Sequence, residues 1–221
     1  MDAEIQPNPR TETAKGRGLL TAGIAAPVVL TAAIVLAGQF EPGYSHVSQF
    51  VSELGAVGAS HQKVFNYGGL FLSGLLTVSF ALGMFLQVKP RAWFVASSLL
   101  VASAGLGRLA AGVFPCDAGC VIEDMSTAAT IHAIAGFVAL TSGALAPLLL
   151  AEGLRRHRHS RLLPLSVGLG SASLILVVVL FGLGKGLPYI GLIQRLILAA
   201  FYAWIVALVL RIDVLQHDVR C

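Results

Sequence analysis

Apolar residues fall into six long stretches separated by polar or basic connections. They cover residues 19–40, 64–88, 92–114, 128–149, 165–183 and 189–210. Each is near the roughly 20 residues that a helix needs to cross the ~30 Å hydrocarbon core of a bilayer. None alternates as barrel strands do, and in hydrocarbon each backbone amide must be satisfied within its own segment. The predicted fold is all-α: a single six-helix transmembrane domain over 19–211, with a polar lead at 1–18 and a tail at 212–221. The first stretch is too long and uninterrupted for a cleaved leader. Gln39-Phe40-Glu41-Pro42 after it lacks the small residues of a cleavage site, so it is read as a retained span. Ser97, Ser98, Ser103, Gly105 and Gly107 in the third stretch, and Gly168, Gly170 and Ser171 in the fifth, predict closely packed helices.

Composition removes other classes. The 221 residues are 56% hydrophobic and 12% charged, with a mean hydropathy of +0.81. A soluble domain carries roughly 25% charged residues, so a soluble enzyme, a disordered chain and a DNA-binding domain are excluded. Three cysteines cannot frame a disulfide-rich scaffold. Cys116 and Cys120 share a short acidic loop, where a local disulfide is the expectation. Cys221, as the last residue, does not make a prenylation box.

Charge placement predicts orientation. Arg10, Lys15, Arg17, Lys89, Arg91, Arg155, Arg156, Arg158, Arg161, Arg211 and Arg220, eleven of the fifteen Lys and Arg, fall on one side of the predicted topology. The positive-inside rule then puts both termini in the cytoplasm, N-in and C-in, in a plasma or inner membrane. The run 155–161 reads as a stop-transfer anchor on anionic lipid rather than as a nucleic-acid patch.

The outer side carries the candidate chemistry. Ser45 is a candidate N-cap, although Ser48 stands where a capping box needs Glu or Gln. Val47, Phe50, Val51 and Leu54 recur at helical spacing and Gly55 ends the run, which predicts a short amphipathic helix in the interface with its stripe toward the acyl chains. Its polar positions offer His46, Ser48, Gln49, Ser52 and Glu53, with Ser48 near Ser52 and Gln49 near His46 or Glu53. Within the spans, Arg108, His132 and Arg195 converge at similar depth beneath that side, and Lys185 lies in the last outer turn. An intramembrane charge marks a candidate site whose partner has to be named. Arg108 is expected to pair with Asp117 or Glu53, and Arg195 with Glu53 or a bound anion. His61, Glu123 and Asp124 complete an acidic and imidazole rim.

Two segments resemble a known family. Tyr44-Ser45-His46-Val47-Ser48-Gln49-Phe50-Val51-Ser52-Glu53-Leu54-Gly55 is similar to the "YS…IS.LG" segment of the DUF998 membrane proteins, with Val51 in place of Ile. Gly112-Val113-Phe114-Pro115-Cys116-Asp117, followed by His132, resembles that family's "G.FP.D" segment and the histidine that opens the next helix. The resemblance implies a six-helix prokaryotic membrane protein of unassigned activity. It picks out Tyr44, Ser45, Ser52, Asp117 and His132, while Ser48 and Glu53 rest on spacing alone.

Three functions stay open. One is a structural role, the charges stapling helix ends. Another is binding of membrane lipid, by an anionic headgroup, or of a small anion, at Arg108, Arg195 and Lys185. The alternative is an intramembrane hydrolase or transferase acting on a lipid or lipid-linked substrate. There His132 would be the base, Asp117 or Glu53 its orienting acid, and Ser52 or Ser48 the nucleophile. No HExxH and no close-spaced histidine pair lies on the outer side, so neither a metal nor another cofactor is expected.

Overall fold

The computed structural model describes residues 9–87, 92–155 and 162–211. Six helices in it are long and apolar enough to span a membrane, and no strand occurs among the described residues. They are α1 (Pro9–Phe40), α2 (Leu72–Gln87), α3 (Ala92–Val113), α4 (Thr127–Arg155), α5 (Leu162–Leu183) and α6 (Ile190–Leu210). A π-helical stretch, Val64–Phe71, leads directly into α2 and completes its span. Short 3₁₀ turns occupy Val51–Gly55, Ala118–Cys120 and Gly184–Gly186. The helix α1 begins at Pro9, a residue suited to a first helical position, and no proline follows it before the apolar stretch. Pro147 lies inside α4, where its missing N–H frees only the carbonyl one turn back, and the helix continues to Arg155.

Each helix packs beside its neighbour in the chain, and α6 returns to α1 and also touches α4. Close approach is built on glycine. A Cβ on Gly74 would lie 2.8 Å from the Gly105 carbonyl, and one on Gly105 would lie 2.8 Å from the Gly74 carbonyl. One on Gly107 would lie 2.6 Å from the Ala135 carbonyl of α4. Backbone-to-backbone packing of this kind needs residues without side chains, and it clamps α3 between α2 and α4 on either side of Arg108.

The core holds Trp204, Phe80, Leu30, Leu150 and Ile205, all essentially buried. Several of its polar side chains bond locally or across helices. The Thr77 hydroxyl donates to the Ser73 carbonyl at 2.8 Å, Ser97 to the Ala146 carbonyl at 2.9 Å, and the Trp204 indole to the Ser166 hydroxyl at 2.9 Å. The exterior is apolar: Val28, Leu99, Ile134, Val178 and Leu210 are all 60% or more exposed. Surface of this kind suits hydrocarbon rather than water.

The connection between α1 and α2 departs from expectation. A turn over 46–48 precedes a five-residue 3₁₀ helix, Val51–Gly55, in place of an amphipathic α-helix. Val51 and Leu54 are 2% and 1% exposed, buried in the protein core rather than turned outward, while Val47 is half exposed. The cause is docking on α6, whose polar groups take the backbone hydrogen bonds that helical continuation would have used. Of the sequence-derived basic pattern, Lys89, Arg91, Arg156, Arg158, Arg161 and Arg220 lie outside the described residues, as do the side chains of Arg10, Lys15 and Arg17 and the tail at 212–221.

Candidate functional site

The ionisable residues within the spans gather at one end of the bundle, where residues 41–63, 114–126 and 184–189 connect the helices. They divide into two groups.

Arg195, two turns into α6, fastens the first connection. Its Nη1 donates to the carbonyls of Gln49 (3.1 Å) and Gly191 (2.9 Å), and its Nη2 to the Tyr44 hydroxyl (2.5 Å) and to His46 Nδ1 (3.0 Å). The Tyr44 hydroxyl in turn donates to the Phe50 carbonyl at 2.9 Å. Two further bonds complete the docking: the Leu192 amide to the Val47 carbonyl at 3.0 Å, and the Val51 amide to Gln194 Oε1 at 2.6 Å. Gly191 makes room, since a Cβ there would collide with the Gln49 carbonyl. Burial and the facing Arg195 charge push the His46 imidazole below its ordinary value. Burial raises the Tyr44 phenol, against the opposing pull of Arg195. The expected Arg195–Glu53 pair is not formed. Glu53 instead accepts from the Phe50 amide and the Gln49 side chain, both at 3.0 Å. Ser45 Oγ accepts from the amides of Val47 and Ser48 at 3.3 Å, and Gln49 Oε1 returns a bond to the Ser45 amide at 2.7 Å, so the reciprocal cap sits one residue beyond Ser48.

Arg108 and His132 belong to the second group and line one cavity of about 270 Å³. Arg108 is 4% exposed. Its Nη1 donates to the Tyr202 hydroxyl at 2.7 Å and to Thr77 Oγ1 at 3.1 Å. The guanidinium lies 5.1 Å from the Tyr202 ring centroid and 5.8 Å from that of Phe201. No carboxylate pairs with it among the described residues, so the expected bond to Asp117 or Glu53 is replaced by neutral partners. His132, one turn into α4, donates through Nδ1 to the carbonyls of Phe114 (2.8 Å) and Ala111 (3.1 Å). The Ala111 oxygen needs such a partner because Pro115, four residues further on, has no N–H to give it. The sequence carried that signal in Pro115, whereas Thr77, Tyr202 and Gln194 had no distinguishing mark.

Asp117 is engaged at the start of α4, accepting from the Ser126 amide and hydroxyl, both at 2.8 Å, and these bonds hold its carboxyl below the ordinary value. Ser126 in turn caps α4 through the Ala129 amide at 3.2 Å. Neither Asp117 nor Glu53 bonds His132, whose ring is oriented by carbonyls instead. Ser52 lines the cavity with its hydroxyl 3.7 Å from Cys120 Sγ, whereas Ser48 is held in the Ser45 turn. Cys116 and Cys120 are joined by a disulfide, with a Cα–Cα distance of 5.1 Å, and both line the cavity. Arg195 does not line it. With His46, Arg195 heads a separate apolar groove between α1 and α6. The Lys185 side chain lies outside the described residues.

Six apolar spans around a partly polar core define a multi-pass helical membrane protein. The chain belongs to the family described as "Protein of unknown function (DUF998)", whose profile matches residues 24–211, from within α1 to just past the end of α6. No curated protein and no solved structure matches it.

Proposed function

We propose that this protein binds an anionic amphiphile, its head against Arg108 and its tail among the apolar walls of the cavity. One observation carries the reading: a guanidinium that is 4% exposed has only hydroxyls and ring faces for company. A buried cation is ordinarily paired. The hydroxyl and ring partners of Arg108 are neutral, and a bound anion supplies the counter-charge they lack. The walls favour a tail, since Leu140, Leu180, Phe137 and Phe181 line the space. Phe137 and Phe181 are also about half exposed on the lipid-facing exterior, so the cavity reaches the surface beside them. Membrane lipids are the natural source of such a ligand.

The same reading takes both termini as cytoplasmic, on the distribution of Lys and Arg. The cavity then opens toward the extracytoplasmic side, where an oxidising compartment suits the Cys116–Cys120 bond.

Binding of radiolabelled dodecyl phosphate to the protein in maltoside micelles tests the proposal. Saturable binding is expected, weakened about tenfold or more in Arg108→Gln, since hydrogen bonds to charged groups contribute about 1.5–3 kcal/mol. Arg108→Lys, which keeps the charge and loses the fork, should fall between. Equal binding by wild type and Arg108→Gln would overturn the reading.

A further inference from the structure

We infer that the anionic head accepted by this cavity is a phosphomonoester, recognised together with one proton. This rests on the anionic-amphiphile reading and adds the identity of the head.

His132 sets the polarity of the cavity wall. Its Nδ1 faces two carbonyl oxygens, at 2.8 and 3.1 Å, and carbonyls offer only lone pairs, so Nδ1 carries a hydrogen. In the neutral ring that leaves Nε2 as an acceptor. Nε2 has no hydrogen-bond partner among the described residues, and the residue lines the cavity. The other polar groups there are mostly donors. Arg108 has Nε and Nη2 uncommitted among the described residues, because both of its hydrogen bonds leave from Nη1. Gln194 presents its amide N–H group, because its oxygen is taken by the Val51 amide. The cavity therefore offers donors and a fixed positive charge on one hand and a single imidazole lone pair on the other.

A carboxylate or a simple phosphodiester satisfies the donors but brings no proton near neutral pH, so it leaves the neutral ring's Nε2 facing another lone pair. A phosphomonoester, with a second ionisation near pH 6, holds or readily regains a proton for that nitrogen. Whether the hydrogen rests on oxygen or nitrogen, the stoichiometry is one ester, one proton and one imidazole. No other wall group competes for that proton. From α1, α5 and the π-helical stretch come only apolar side chains, from α6 Gln194, from the first connection Ser52, and from the second the bonded cysteines. Tyr202 and Thr77 are committed to Arg108. The volume, about 270 Å³, lies just below the ~300–1,000 Å³ common for small-molecule sites. It suits a head that concentrates charge and hydrogen in one group.

The test compares dodecyl phosphate with two diesters, methyl dodecyl phosphate and dodecyl phosphoglycerol, on the full-length protein in maltoside micelles between about pH 6 and pH 8. The monoester should bind about tenfold tighter than either diester near pH 6, and its affinity should fall toward about tenfold per pH unit once the shared proton is lost. The diesters, which can gain the proton only by charging the imidazole, should show a shallower slope. His132→Asn keeps an amide N–H for the two carbonyls and lacks the Nε2 acceptor; it should reduce the monoester to the diester level and flatten the pH profile. Arg108→Gln should weaken all three. Equal binding of all three by the wild type, or a monoester preference surviving in His132→Asn, overturns this inference and leaves the anionic reading standing. A phosphoglycerol that matches the monoester while the methyl diester stays weak also overturns it, assigning the hydrogen to a head-group alcohol. Should the Asn variant not fold, a pH-independent monoester preference in the wild type overturns it. Absence of binding by all three removes the anionic reading itself.

Discussion

Gly191→Ala tests the docking of the first connection through the sign of its effect. Gly191 lies in the first turn of α6, and in a helix without tertiary constraint Ala is favoured over Gly by about 0.8–1.0 kcal/mol. The added methyl would instead meet backbone of the first connection: the Gln49 carbonyl oxygen, its carbon at 2.8 Å and the Gln49 nitrogen at 2.9 Å. Backbone cannot rotate out of the way as a side chain can, so the connection has to lift from α6. Overpacking of this kind costs about 1–3 kcal/mol. Lifting Gln49 also breaks its bond from Arg195, a charged donor, which contributes about 1.5–3 kcal/mol. Set against the propensity gain, the net destabilisation of the docked state is about 1.5–5 kcal/mol. Hydrogen exchange on peptides spanning residues 44–55, followed by mass spectrometry in maltoside micelles, should show protection reduced by about tenfold to a few thousandfold. Unchanged or increased protection would mean that Ala acts only as a better helix former, and the packing argument would fail.

Two other outcomes follow from the same geometry. Because the folded-state His46 value is depressed, the unfolded or undocked connection takes up a proton first. Docking is therefore fully present above about pH 6.5 and weakens as pH falls below it. Protection factors at the Tyr44–Phe50 amides, corrected for the intrinsic rate at each pH, should fall on acidification in the wild type and stay level in His46→Gln; an identical acid response in both excludes His46. Tyr202→Phe removes the hydroxyl that accepts from Arg108 at 2.7 Å. It should lower unfolding stability by about 1.5–3 kcal/mol, measured as a fall in the thermal midpoint, whereas a midpoint within error of wild type would show that Arg108 finds another acceptor.

The spans were legible because about twenty apolar residues in succession have few other uses. The parity of the spans also gave the gathering of Arg108, His132 and Arg195 at one end of the bundle. What the sequence concealed was their partition. Arg195 turns to backbone carbonyls, Tyr44 and His46, while Arg108 turns to Thr77 and Tyr202. Carboxylates advertise themselves as partners for arginine; carbonyls and hydroxyls, present throughout the chain, do not. The first connection was misjudged for a related reason. Val47, Phe50, Val51 and Leu54 have the spacing of an α-helix, but the Val51 amide and the Val47 carbonyl are claimed by α6, and local periodicity yielded to those distant bonds. His132 is oriented by the carbonyls of Ala111 and Phe114 rather than by an acid, and Pro115 marks only the first of these in the sequence.

Pro115 thereby governs chemistry it never touches. By withholding an amide from the last turn of α3, it obliges the imidazole of another helix to act as the missing donor, and so dictates which edge of that ring the interior space meets. A residue with an ordinary backbone amide at 115 would let α3 close its own ladder at Ala111, leaving the Phe114 carbonyl as the ring's one remaining anchor of the pair. The selectivity inferred for the chamber would then be weakened with every chamber residue still in place.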